Sequence, residues 1–229
     1  MLQKIVFGLI WLIFIIYTFG FAPPTQPDTL DLIINLSLGK WEQINPIIIA
    51  IFYIMGVFPT VYACFLLFDG RGQKIPAYPF VIGSIGFGAY ALLPYFALRQ
   101  SNPSWHGDKN WLLKILDSRL MAIVLSTTIT IFIVWGVVNG DWADFISQWQ
   151  TSQFIHVMSL DFCLLCLLFP AILKDDMKRR GINNEQFFWL AALIPLFGTL
   201  IYLCLRPSLP GLSETKGLAT SPQKLRINN

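Results

Sequence analysis

The chain has 229 residues, of which 55% are apolar, 15% aromatic and only 13% charged, with a formal net charge of +3. A soluble globular domain carries about 25% charged residues, so this composition excludes one and indicates a polytopic membrane protein. The positive charge is small and scattered, with no block of like charge longer than Lys178, Arg179 and Arg180, which excludes a nucleic-acid partner.

Runs of about 20 apolar residues predict six membrane helices, over residues 5–22, 46–68, 79–98, 120–138, 154–173 and 186–205. The first follows Lys4 and could pass for a signal peptide. Gly20-Phe21-Ala22 is a poor cleavage site and two prolines follow, so it reads as an uncleaved helix. After it, Leu30, Ile33, Ile34, Leu38 and Trp41 lie at near-helical spacing; after the fourth run, Trp142, Phe145, Ile146 and Trp149 do the same. Both stretches predict short amphipathic helices in the membrane interface, with tryptophans at headgroup level.

The third run carries Gly83, Gly86 and Ala89 at steps of three, a bare face for a neighbouring helix or a flat ligand ring. In the fourth, Thr127 and Thr130 offer hydroxyls. If the fourth and fifth runs are antiparallel neighbours, these hydroxyls are level with Asp161 at 1.5 Å of rise per residue. Asp161 itself stands deep in the fifth run, where an ionisable group costs roughly 2.5–3.5 kcal/mol on insertion scales, so it is a functional-site candidate by default. No basic residue lies one helical turn away, which favours a neutral carboxyl that both donates and accepts hydrogen bonds. Fixing helix register through Thr127 or Thr130 is the structural alternative to proton relay, ligand binding or acid catalysis.

The basic turn after the fifth run holds Lys174, Asp175, Asp176, Lys178, Arg179 and Arg180. Its cations are expected to bind headgroups or snorkel; Asp175 and Asp176 could instead pair with Arg179 and Arg180 across one turn. Pro94, Pro170 and Pro195 interrupt their helices and free carbonyls. The four cysteines all fall within apolar runs. Cys163 and Cys166 form a C-x-x-C in mid-helix, away from the helix N-terminus that would activate a thiol, and read as structural. His106 and His156 are far apart, so no metal site and no cofactor is expected.

Each half reads as helix, interfacial helix, helix, basic turn, and a helix with an internal proline (Pro94, Pro195) and a closing arginine (Arg99, Arg206). This divides the chain into repeats over 1–114 and 115–207 and a polar tail, 208–229, expected to be disordered. Three spans per copy would make the repeats inverted. The loop charges, seven cations against nine, do not orient the chain.

The stretch from Asp161 to Pro207, with its Asp-Phe, the KDDMKRRG turn and the closing L-I-Y-L-C-L-R-P, resembles a domain of unknown function of cyanobacterial and plastid membrane proteins. It also looks like the plastid membrane family whose loss causes neoxanthin deficiency. Phe162 replaces that family's leucine. The resemblance implies a thylakoid or plasma membrane of a cyanobacterium, with Asp161, Arg180 and Arg206 as the carried-over positions, and makes the first half a diverged copy with Ile54 and Met55 in the region of the acid. The expected function is therefore to bind or chemically adjust a carotenoid-like or other isoprenoid ligand, using Asp161, with Thr127, Thr130, Gly83, Gly86, Arg180 and Arg206 as further ligand-site residues. A small proton-coupled carrier and a non-enzymatic assembly partner of a photosynthetic complex are the alternatives. Expected partners are membrane lipids, a bound pigment or isoprenoid, and such a complex.

Overall fold

The structure, a computed structural model, describes residues 2–105 and 107–209. His106 and the polar tail from residue 210 onward lie outside them. The described chain is all helical: α1 (Leu2–Gly20), α2 (Thr29–Ser37), α3 (Pro46–Asp69), α4 (Tyr78–Leu98), α5 (Trp111–Leu116), α6 (Arg119–Asn139), α7 (Trp142–Thr151), α8 (Gln153–Leu168), α9 (Pro170–Arg179), α10 (Glu185–Leu193) and α11 (Phe197–Leu205). Five stretches are long and apolar enough to cross a membrane: α1, α3, α4, α6, and α8 continued by α9. The two amphipathic stretches form the short helices α2 and α7.

Helix starts are set by local chemistry. Asn45 caps α3, its side chain accepting from Ile47 N–H at 3.0 Å ahead of Pro46, whose missing donor is harmless at a first turn. Asn110, Ser118, Asp141 and Asn184 cap α5, α6, α7 and α10 in the same way. Prolines inside helices leave carbonyls without donors, and side chains fill the gaps. Pro94 cannot bond Tyr90 O, which accepts instead from the Trp11 indole at 3.0 Å. Near the α8–α9 break at Pro170, Leu165 O accepts from the Tyr62 phenol.

The third predicted span turns back. Gly88 takes φ 46°, ψ −126°, a conformation open to glycine, and divides α4 into two arms. Phe80 and Tyr95, fifteen residues apart, have ring centroids 5.5 Å apart, where a straight helix would separate them by about 22 Å. A Cβ on Gly83 would stand 3.2 Å from that of Ala91 on the other arm. Both ends of α4 therefore lie at one end of the bundle, where Arg99 bonds Asp69 and Gln73 bonds Gln100 O. The sixth predicted span does likewise. It forms α10 and α11, joined through Leu196 at φ 64°, ψ −65°, a strained γ-turn closed by Phe197 N–H to Pro195 O at 2.8 Å. Phe187 and Tyr202 pack at 5.8 Å, and a Cβ on Gly198 would meet Ala191 O at 2.4 Å.

Two corrections follow. The six-span reading gives way to four traverses of the bundle plus two helical hairpins. The repeats are parallel, not inverted, because a copy with two full traverses and a hairpin returns the chain to the end it started from. The Arg179 Nη2 to Asp69 Oδ1 bond of 2.9 Å places the ends of α9 and α3 side by side. The repeat itself is exact in spacing: Asp69, Phe80, Tyr95 and Arg99 recur 107 residues on as Asp176, Phe187, Tyr202 and Arg206. Both copies contribute to one apolar core, in which α6 of the second lies along α3 of the first.

Candidate functional site

Asp161 lies on α8, eight residues from its start, against the tip of the α4 hairpin. Its Oδ1 accepts from Ala89 N–H at 2.7 Å, the first free donor of the returning arm of α4. The positive end of that arm's dipole adds to the attraction. Gly88 makes the approach possible, since a Cβ there would stand 1.8 Å from Asp161 Oδ2. Oδ2 has no hydrogen-bond partner among the described residues.

Around this carboxyl opens a cavity of about 430 Å³ between α1, α3, α4 and α8. Its walls are mainly apolar, including Phe52, Met55, Phe87, Phe154 and Met158. Most of its polar groups are already engaged. Thr18 pairs with the Tyr90 phenol, Gln153 donates to Thr18 O at 2.9 Å and accepts from Thr25, and Ser84 donates to Val81 O at 2.7 Å. Thr29 also lines the cavity, and its hydroxyl is buried without a partner. Asp161 Oδ2 is thus the group left to meet a guest, with the unpartnered Thr29 hydroxyl buried in the cavity wall.

Thr127 and Thr130 are not part of this site. They lie exposed on α6, which packs against α3 and α11, and Thr130 donates back to Ser126 O at 2.8 Å. The expected hydroxyl partner of Asp161 is replaced by a backbone donor. Gly86 borders the cavity at the hairpin tip, while Gly83 serves the contact between the two α4 arms.

Arg180 and Arg206 belong to a second constellation at the bundle end where both hairpins begin and finish. Asp69 receives the fork of Arg99 at 2.7 and 2.8 Å, the Tyr95 phenol at 2.7 Å and Arg179 at 2.9 Å. Asp176, its repeat counterpart, receives Tyr202 at 2.8 Å, Arg180 at 2.9 Å and Arg206 at 3.0 Å. Asp175 binds Arg99 and Ser101, and Asp117 binds Arg180 at 2.7 Å and Lys109 at 3.0 Å. Burial opposes ionisation of Asp117, but Arg180, Leu209 N–H and Lys109 outweigh it and hold its carboxyl below the usual range. Desolvation likewise works against charge on Arg180, and Asp176 and Asp117 overcome it, raising its pKa.

Arg179 and Arg180 are therefore not snorkelling cations, and Asp161 is one of several buried acids. Lys174 and Lys178 do face outward. The expected pairing across one helical turn is present in Arg180 with Asp176. Asp69, Arg99 and Asp117 escape a reading by local pattern, since each stands at a helix end like any interfacial charge. One signal was available: an acid followed by Tyr at 26 residues and Arg at 30 occurs twice. With every acid answered by a cation or phenol, this cluster fastens the two hairpins to their long helices.

These features define a helical protein with membrane-type helices, built of two parallel copies, each with a folded-back hairpin, and with a cavity between its helices that carries the Asp161 carboxyl. The chain matches no family model, no curated protein and no solved structure.

Proposed function

We propose that the protein is an integral membrane protein that binds a lipophilic molecule bearing one polar end group in the Asp161 cavity. The observation that carries this reading is the pairing of apolar walls with a free carboxyl oxygen and a buried, unpartnered Thr29 hydroxyl. Such a pocket, mostly apolar with a few convergent polar groups, is the usual form of a small-molecule site. An alcohol, ketone or epoxide at the end of an isoprenoid would pair with the free oxygen of Asp161. If the protein is an enzyme, Asp161 is the general acid that protonates the polar end or an adjoining polyene. The carotenoid-like ligand and the photosynthetic membrane rest on the resemblance of residues 161–207.

The test is an absorption spectrum and solvent extract of protein purified from its native membrane in mild detergent, for the wild type and Asp161→Asn. Asparagine keeps the acceptor for Ala89 N–H and removes the acid. About one lipophilic molecule per chain, lost or chemically altered in the variant, is expected. An extract of bulk lipid only, or one indifferent to the substitution, defeats the reading.

A carrier is the second reading. Inverted repeats no longer favour it, but two hairpins that turn back partway along the bundle do, because interrupted helices at membrane depth line the pathways of transporters. Proton flux into vesicles that is abolished by Asp161→Asn would select it.

A further inference from the structure

The 107-residue offset that relates the hairpins also relates two cavities. Met55, Gly56 and Val157 wall the Asp161 cavity; their counterparts Phe162, Cys163 and Ala50 wall another, of about 750 Å³, at the tip of the α10–α11 hairpin. Gly88 at the first tip corresponds to Pro195 at the second. The decisive difference lies at the acid, since Asp161 corresponds to Ile54, which lines the second cavity.

No charged side chain lines this second cavity, and its one hydroxyl, on Ser159, is spent on Ile155 O at 2.7 Å. Away from the Trp142 and Trp149 indoles at its edge, a polar guest would find nothing to replace its water, so the site selects hydrocarbon. Its shape selects further. The lining begins at Ile47, one residue into α3, and ends at Leu167, fourteen residues into α8, two helices that start at the same end of the bundle. At 1.5 Å per residue this spans about 20 Å of depth. That is somewhat more than one leaflet of a hydrocarbon core about 30 Å thick. Over the shallow end lies the apolar face of α7, with Trp142 and Trp149, residues suited to headgroup level.

We propose that the Ile54 cavity is a resident-lipid site that holds one acyl chain of a bilayer phospholipid, with the headgroup beside α7. Duplication of a single binding fold would then have produced two specificities: a polar-ended ligand where the acid stands, and a plain hydrocarbon chain where isoleucine stands. The site does not depend on the activity of Asp161.

The test uses the full chain in nanodiscs of phosphatidylcholine doped with a phosphatidylcholine carrying a diazirine near the end of one chain, with labelled residues mapped by mass spectrometry. Label is expected to concentrate between residues 160 and 167 and at Phe197. Cys163→Trp fills the cavity from an exposed position and is expected to lower that label about tenfold, the equivalent of ~1.4 kcal/mol. Gly56→Trp fills the Asp161 cavity and is expected to leave it unchanged. Label at equal yield on the outward residues of α1, such as Leu9 and Ile13, or label indifferent to Cys163→Trp, overturns the proposal. Should Cys163→Trp fail to fold, native mass spectrometry of the wild type decides: one phospholipid retained after exhaustive detergent washing supports the site, and a lipid-free chain overturns it.

Discussion

Gly88→Ala tests the hairpin and the acid together. Alanine at φ 46°, ψ −126° is strained by roughly 1–3 kcal/mol, the usual range for a non-glycine residue held in a sparsely populated region. Its Cβ would also stand 1.8 Å from Asp161 Oδ2, so the carboxyl must leave and Ala89 N–H loses its acceptor. An unsatisfied buried donor costs about 1–3 kcal/mol, which brings the expected loss to roughly 2–6 kcal/mol. Gly86, two residues earlier, has open space at its Cβ, and alanine there is expected to be neutral or to stabilise the helix by up to about 1 kcal/mol. Unfolding of the two variants by dodecyl sulfate in mixed micelles measures the contrast. In an Asp161→Ala background the displacement has already been suffered, so Gly88→Ala should cost only the strain, roughly 1–3 kcal/mol. If Gly88→Ala is no worse than Gly86→Ala, the fold-back of α4 and the approach of Asp161 to its tip are both wrong.

Single cysteines at Lys74, Ser104 and Glu185, all exposed, are expected to react with an impermeant maleimide from one side of a sealed vesicle, and cysteines at Lys40 and Asn139 from the other. A straight α4 would split Lys74 from Ser104. Asp69→Asn strands Arg99 and Arg179 without their shared acid and is expected to cost about 3–5 kcal/mol in micelle unfolding, as is Asp176→Asn by the repeat. A loss under 1 kcal/mol in either would show that the cluster is not holding the hairpins. The carboxyl of Asp117 is held below its unfolded value, so its contribution is fully present above about pH 4. It is lost as pH falls through the folded value. Melting temperature in detergent should hold from pH 7 to about pH 4 and then fall, and Asp117→Asn should flatten the acid limb; an unchanged limb would remove Asp117 as its source.

Composition and apolar run length were enough to establish a helical, membrane-type chain, because burying a backbone in hydrocarbon requires its hydrogen bonds to be made within each segment. Period and spacing located α2 and α7 and showed two copies of one plan, and the resemblance put Ile54 and Met55 in the region of the acid. What hydropathy cannot report is direction. Twenty apolar residues make either one crossing or two arms of ten, and the choice rested on the conformation of Gly88 and Leu196 and on Arg99 and Arg206 returning to Asp69 and Asp176. That choice changed three spans per copy to two traverses and a hairpin, and with it inverted repeats to parallel ones. The partner of Asp161 was hidden for a related reason: it is a backbone N–H, which every residue type supplies alike, exposed only because the chain turns at the residue before it. The arginines resembled interfacial cations because, apart from Asp176 one turn from Arg179 and Arg180, their acids lie from 30 to 110 residues away. Sequence determined which segments are helical and which positions repeat; tertiary structure alone decided where the helices turn and which charges meet.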